Sequence, residues 1–236
     1  MVNIWSIIDR LLGAHCQLCG SPGNGVCDTC RSTLPRNRFA CAVCALPLPP
    51  SSPDRAICGA CQRHRPSFQH AIVPLLYQQP VDDLVAALKY HHRLFLAPSL
   101  ASCLVDGLVE ARHNDGRAWP ELIVPVPMHR DHLRQRGFNQ ATELARFVSR
   151  KLRVPLSTTL LRRTGAARHQ RGLRRAQRLR RAGLDFVACR PAPAHVAVVD
   201  DVVTTGATAE QVSAALRRAG ARTVEVWASA RTPDRR

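Results

Sequence analysis

Lysine is almost absent. Of 34 basic residues only Lys89 and Lys151 are lysines, so a formal net charge of +17 is carried by arginine. Part of that skew reads as a coding bias, and the distribution says more than the total. Residues 150–181 hold twelve basic residues and no acid. Aromatics are scarce too, at 5% of the chain, and none falls in that stretch, so base stacking there is unsupported. No apolar run approaches the ~18–20 residues of a membrane span. The N-terminus, VNIWSIIDRLLGAH, lacks a signal-peptide h-region and cleavage site, because Asp9 and Arg10 interrupt it. A short amphipathic helix through Ile4, Trp5, Ile8, Leu11 and Leu12 explains it better. The expected location is the cytoplasm. No internal repeat is visible beyond the cysteine pairs.

Cysteine, by contrast, is plentiful and patterned. Eight of ten cysteines form four CxxC pairs: Cys16/Cys19, Cys27/Cys30, Cys41/Cys44 and Cys58/Cys61. Two thiolates two residues apart can bind one ion from a tight turn, and two such knuckles complete a four-thiolate Zn²⁺ shell. Disulfides are disfavoured in a cytosolic chain, and a redox role lacks the βαβ context it needs. Eight ligands imply two structural zinc ions. Sequential pairing would give two consecutive ribbons and interleaved pairing a cross-braced module; spacing leaves both open. The segment has few large apolar residues, so metal must supply much of its folding energy. Cys103 and Cys189 stand alone and read as small core hydrophobes.

The cysteine-rich module is expected over residues 1–66 and a second domain over 67–236. Residues 71–77 suit a strand, 81–90 and 97–112 helices, and 122–127 a buried strand. A helix is expected from about Asn139, a possible N-cap, with Ala141, Leu144, Ala145, Val148 and Leu152 on one face. Residues 195–203 and 223–230 read as strands, with a helix at 209–219 between them closed by Gly220. Strands alternating with helices argue for an α/β fold around a parallel sheet. Tyr90, Phe138 and Trp227 are isolated and default to core packing. His91, His92, His129, His132 and His169 lack ligand spacing with a partner acid and read as structural or solvated.

One stretch resists a purely structural reading. VAVVDDVVTTGAT (196–208) drives a buried strand into two adjacent carboxylates and then a small, hydroxyl-rich turn. In open α/β sheets ligands sit beyond the carboxyl ends of the strands, which is where Asp200 and Asp201 fall. Thr204, Thr205, Gly206, Ala207 and Thr208 lead into a helix whose free N–H groups make an anion site. Carboxylates for hydroxyls or a Mg²⁺ shell, with a phosphate cradle beside them, suit a ribose 5-phosphate.

This pattern closely resembles the phosphoribosyl-diphosphate motif of type I phosphoribosyltransferases. CxxC pairs ahead of such a domain resemble the ComF (competence protein F, GntX-like) family. Lys89-Tyr90 matches that family's "LK" plus aromatic. VPVPMHRDHLRQRGFNQ (124–140) is similar to its proline-rich strand followed by RGFNQ. Arg163, Thr164, Gln170 and Arg178 match its "R-T…Q…R" segment. Arg181 stands where the family usually has Asn.

The resemblance implies a type I phosphoribosyltransferase fold. It implies the 5-phosphate on Thr204 to Thr208, and ribose hydroxyls held by Asp200 and Asp201, directly or through Mg²⁺-bound water. Contacts to the diphosphate are expected from Arg130, Arg136, Asn139, Gln140, Arg163 and Arg178. It also implies an association with DNA uptake and natural transformation. The 162–183 stretch has three readings: a mobile flap over the diphosphate, a track for single-stranded DNA, or a solvated basic helix. Two functions stay open. One is transfer of a phosphoribosyl group to an unidentified acceptor. The other is a non-catalytic nucleotide- or DNA-binding module that keeps the pocket.

Overall fold

The computed structural model describes residues 15–164 and 185–233. The expected N-terminal helix, Arg178, His169 and most of the arginine-rich stretch lie outside them. The elements, in chain order, are α1 (Asp28–Ser32), α2 (Gly59–Arg63), β1 (His70–Ile72), β2 (Leu75–Leu76), α3 (Val81–Tyr90), α4 (Ala97–Asp115), β3 (Leu122–Pro125), α5 (Arg130–Arg136), α6 (Gln140–Leu152), β4 (Leu161–Arg163), β5 (Phe186–Ala188), β6 (His195–Val203), α7 (Ala207–Arg218) and β7 (Thr223–Arg231).

Five strands form one all-parallel sheet in the order β1–β7–β6–β3, with β2 also pairing with β7. The α/β class with a parallel sheet is as expected. The single strand expected at 71–77 is instead two pieces, because Pro74 has no N–H for the ladder and its carbonyl turns to accept from Asn37 N (2.8 Å). β4 and β5 pair antiparallel as a separate two-stranded unit.

The central strands β6 and β7 are apolar on both faces, as a doubly covered sheet requires. One face carries Ala197, Val199, Val202 and Trp227 toward α3, α4 and α6. The other carries Val196, Val198, Val224 and Val226 toward Val212, Ala215 and Leu216 of α7. The two cysteine sets are divided between these faces. Cys16, Val26 and Leu34 join the α3/α4 core, whereas Cys41, Val43, Cys58 and Cys61 join the α7 core.

Cys103 and Trp227 are fully buried, but Cys189 and Tyr90 are exposed, contrary to expectation. Cys189 directly follows the short strand β5, whose Phe186 packs into the α7 core while Cys189 itself falls beyond it. Against the expectation that no apolar run approaches a membrane span, the 22-residue stretch Leu94–Asp115 holds an 18-residue window of mean hydropathy 1.5, enough by length and composition. Asp106 and Glu110 interrupt its apolar runs, yet the window mean stays that high. Leu96, Leu100, Leu104 and Leu108 are fully buried in the core, as in the interior helix of a folded domain.

Candidate functional site

Asp200 and Asp201 lie toward the carboxyl end of β6, each fixed by a local backbone bond. Asp201 N donates to Asp200 Oδ1 (2.8 Å) and Val202 N to Asp201 Oδ1 (2.7 Å). They face a cleft of about 210 Å³ with Lys89, His132, Arg136, Gln140, Arg163 and Thr208 in its wall. Asp201 is buried and ion-paired, its Oδ2 standing 2.8 Å from Lys89 Nζ. Burial works against the Lys89 charge, but the Asp201 carboxylate outweighs it and raises the ammonium's pKa. Asp200 is half-buried and makes no direct ion pair among the described residues, although Lys89 lies near enough to act on its charge. Burial, reinforced by the Asp201 carboxylate, pushes its carboxyl well above the usual range.

The opposite wall is built by the chain leaving β3. Val126 N donates to Val199 O (2.9 Å), extending the strand ladder. Asn139 then closes the corner: its Oδ1 caps α6 by accepting from Ala141 N (3.1 Å), and its Nδ2 donates to Val126 O (2.9 Å). The expected N-cap is therefore present, and it also places the next residue. Gln140 is 2% exposed, and its Nε2 has no hydrogen-bond partner among the described residues. A buried amide donor left open costs stability unless a ligand or water meets it.

Two arginines at this cleft stack on aromatic rings. Arg136 sits over Tyr90 (5.1 Å to the ring centroid) and Arg163 over Phe186 (5.4 Å). Stacking holds a guanidinium without using its donors. This explains the exposed Tyr90, a role that isolated aromatics in a sequence do not announce. Arg130 is exposed and does not line the cleft; it opens the short helix α5, whose N-cap is His129. Lys89, Tyr90 and His132 are the residues that local reasoning missed, although Lys89-Tyr90 matched the family pattern.

The turn 204–208 is open. Gly206 has φ +83, a conformation that disfavours any side chain, and it precedes α7, which has no side-chain cap. Thr204, Thr205, Ala207 and Thr208 are exposed. Ala207 N donates to Thr205 Oγ1 at 3.3 Å, and the exposed amides of this helix start suit an anion. Thr208 lines the aspartate cleft, while Thr204 to Ala207 line a neighbouring cavity of about 650 Å³ on the side of the second cysteine set. A larger cavity, about 820 Å³, lies between that set, β1 and α4. Its charges answer one another, as in the Arg55–Asp115 and Arg117–Asp115 pairs.

The cysteines assemble as Cys16, Cys19, Cys27, Cys30 and as Cys41, Cys44, Cys58, Cys61, with all sulfurs of a set within 4.8 Å of one another. The pairing is thus sequential. A zinc ion ~2.3 Å from four sulfurs sets tetrahedral edges of about 3.8 Å. Cys19 Sγ to Cys27 Sγ is 3.8 Å and Cys44 Sγ to Cys58 Sγ is 3.7 Å. Backbone N–H groups of Cys27 and Cys58 donate to Cys16 and Cys41 sulfurs at 3.4 and 3.3 Å, as thiolate ligands require. Without a cation the four thiols of a set cannot all ionise. The neighbouring Cys44 thiol lowers Cys41 to about 4, whereas burial raises Cys61 to about 12. Each set fits one structural zinc.

Comparison with known proteins agrees. Residues 7–62 match the double zinc ribbon domain family. The DNA utilization protein YhgH of Escherichia coli K12 is 33% identical over 92% of this chain and 96% of its own length. Competence protein F of Haemophilus influenzae is 32% identical over 88% of this chain and 91% of its own. Among solved structures, a glutamine phosphoribosylpyrophosphate amidotransferase from B. subtilis, complexed with ADP and GMP, matches 56% of this chain at 19% identity and TM-score 0.40. The chain spans about a quarter of that structure's length, 26%. With a third of its residues shared along nearly the whole of two curated relatives, the chain belongs to the ComF, or competence protein F, family.

Proposed function

We propose that the cleft binds phosphoribosyl diphosphate with Mg²⁺ and transfers the phosphoribosyl group to an acceptor, as part of DNA uptake. The DNA context is carried over from the names of the relatives. The chemistry rests on one observation in this chain. A half-buried carboxylate without a direct ion pair, Asp200, shares a cleft with two ring-stacked arginines and a buried amide, Gln140 Nε2, unpartnered among the described residues, beside a helix start with no N-cap side chain.

The division of labour follows from charge. The 5-phosphate suits the exposed turn from Thr204 to Thr208, where the one side-chain bond to an amide among the described residues is a long one, Ala207 N donating to Thr205 Oγ1 (3.3 Å). The ribose hydroxyls suit Asp200, which gains hydrogen bonds that favour its ionised form. Arg136 and Arg163 suit the diphosphate oxygens, and Gln140 Nε2 offers one more donor. The hard carboxylate oxygens of Asp200 also fit Mg²⁺, which supplies neutralisation of the departing diphosphate. In transfer, the bond between the anomeric carbon and the diphosphate oxygen breaks. The acceptor's lone pair makes the new bond and its proton is released. Asp200 and Asp201 stabilise positive charge on the sugar, and the arginines receive the negative charge of the leaving group.

The Lys89–Asp201 pair favours a second reading, a module that binds the sugar phosphate without turnover, because it occupies one of the two carboxylates. Calorimetry with Mg²⁺-phosphoribosyl diphosphate tests the pocket: binding is expected, and the Asp200→Asn/Asp201→Asn double variant should weaken it at least tenfold. No heat with the wild-type chain would refute the pocket. Diphosphate release in the presence of a panel of bases separates enzyme from sensor.

A further inference from the structure

Arg231, the last residue of β7, is 4% exposed. Its guanidinium reaches three segments. Nε donates to Cys44 O (3.3 Å), and Nη1 donates to Val203 O (3.1 Å), Thr204 O and Thr232 O (3.0 Å). Cys44 belongs to the second zinc set, and Thr204 opens the phosphate turn. At the other end of that turn, Glu210 in the first turn of α7 accepts from Ser67 N (2.7 Å) and Ser67 Oγ (2.5 Å). Ser67 lies just after the second set. Between the two clamps lies the cavity of about 650 Å³, with Cys44, Cys58 and Cys61 on one side and Thr204 to Ala207 on the other. The turn is therefore held by its ends.

The Arg231 contact also sets direction. A trans peptide is planar, with its C=O and N–H antiparallel. Pinning the Thr204 carbonyl inward on Arg231 turns the Thr205 N–H away from the protein body. The Val203 carbonyl, held by Thr232 N (3.0 Å) as well as by Arg231, does the same for the Thr204 N–H. Two successive N–H groups pointing outward make an anion nest. A guanidinium can hold the knuckle and the turn together because its donors diverge in a fixed plane; a lysine ammonium has no such fork.

We infer that Arg231 is the positioning residue of the phosphate turn, and that it makes the second zinc site, but not the first, a determinant of sugar-phosphate binding. The inference rests on the pocket reading for its ligand, though its structural half does not. Among the described residues no hydrogen bond joins the first set to the turn, and none of its cysteines lines the shared cavity; that set packs on the α3/α4 core and is tied to α4 by Val26 N donating to Ser99 Oγ (2.9 Å).

The test uses the full zinc-loaded chain with two probes, ribose 5-phosphate and Mg²⁺-pyrophosphate, and hydrogen exchange of segment 199–212 without ligand. Arg231→Met is expected to weaken ribose 5-phosphate at least tenfold, to leave pyrophosphate within twofold, and to speed exchange in the segment. Arg231→Lys should not rescue it. Cys44→Ser, with one zinc lost, should reproduce that pattern, and Cys19→Ser should not. If Cys44→Ser fails to fold, Ser67→Ala serves as the milder release of the same turn. Equal weakening of both probes would reduce Arg231 to general stability, and unchanged exchange and binding in Arg231→Met would overturn the proposal. A wild-type chain that binds neither probe, yet shows faster exchange in Arg231→Met and Cys44→Ser, refutes the pocket and keeps the coupling.

Discussion

Two acids on adjacent central strands meet opposite fates. Glu225 on β7 is 1% exposed and sits among donors. Arg112 Nη2 lies 2.6 Å away, Trp227 Nε1 donates at 2.8 Å, and His195 Nε2 is 3.0 Å distant. Trp119 stacks on the same guanidinium at 4.9 Å. Burial would raise the Glu225 carboxyl, but Arg112, Trp227 and His195 together hold it below the usual carboxylate range. Asp200 on β6 is about three residues, or ~10 Å, further toward the carboxyl end of the sheet. It is pushed the other way, by burial and by a second carboxylate. A satisfied buried charge belongs to the architecture. An unsatisfied one at a strand end, facing an open cleft, is what a site looks like before its ligand arrives. The first acid should therefore matter to folding and the second to binding.

The largest expected effect comes from breaking the satisfied cluster. Glu225→Gln leaves Arg112 buried beside a neutral amide, and Arg112 Nε and Nη1 already lack partners among the described residues. Losing one member of a buried pair costs about 3–5 kcal/mol, so urea unfolding should show a loss of that size. The sign with pH follows from the lowered folded-state pKa. The stabilisation is fully present above the unfolded carboxyl's pKa, near 4.5, and disappears as pH falls through the lower folded value. The wild type should lose this increment below about pH 4.5, and Glu225→Gln should not. A Glu225→Gln chain as stable as the wild type at pH 7 would erase the contrast.

The contrast was only half legible in the sequence. β6 was expected at 195–203 and occupies His195–Val203, because a β-branched run bounded by turn signals is local information. Asn139 as an N-cap and the four CxxC knuckles were legible for the same reason. The partners of the acids were not. Lys89 reaches Asp201 from a helix more than a hundred residues earlier in the chain, and Arg112 reaches Glu225 from α4. Periodicity says that a side chain is buried, and only the packing of elements says beside what. Tyr90 was misjudged on the same ground: the reason for its position is Arg136, which lies on another helix. Arg231 offered no signal, since one arginine ending a strand looks like any other in so arginine-rich a chain. Arg178 and the stretch around it fall outside the described residues, so the three readings of that segment stand as expectations.

A middle-sized effect is expected at Lys89. It is mostly buried, and its removal leaves Asp200 and Asp201 adjacent with no cation between them. Lys89→Met should destabilise the ligand-free chain at pH 7 by about 2–3 kcal/mol, below the full buried-pair range because both partners keep some solvent contact. Millimolar Mg²⁺ should restore part of that loss, and it should restore none in a variant that also carries Asp200→Asn and Asp201→Asn. Thermal melts with and without Mg²⁺ read both. A Lys89→Met chain unaffected in stability would mean that the pair is ornamental and that the site is less charged than it looks.

The smallest effect has the opposite sign, which makes it the sharpest test of the comparison. Asp200 has a folded-state pKa raised above its unfolded value. Its contribution to stability is then greatest below the unfolded pKa and is lost as pH rises through the folded one. Wherever it is ionised, Asp200 works against the fold, so removing its charge should help. Asp200→Asn should raise the stability of the ligand-free chain by about 1 kcal/mol at pH 7, a trade seen where a site holds strained or unpaired groups. The same substitution should abolish the rise in melting temperature that Mg²⁺-phosphoribosyl diphosphate gives the wild type. The gain should shrink as pH falls and the wild-type carboxyl takes up its proton. If Asp200→Asn instead destabilises the free chain as Glu225→Gln does, Asp200 is a second structural acid, and the cleft loses the one group that distinguishes it from a packed sheet end.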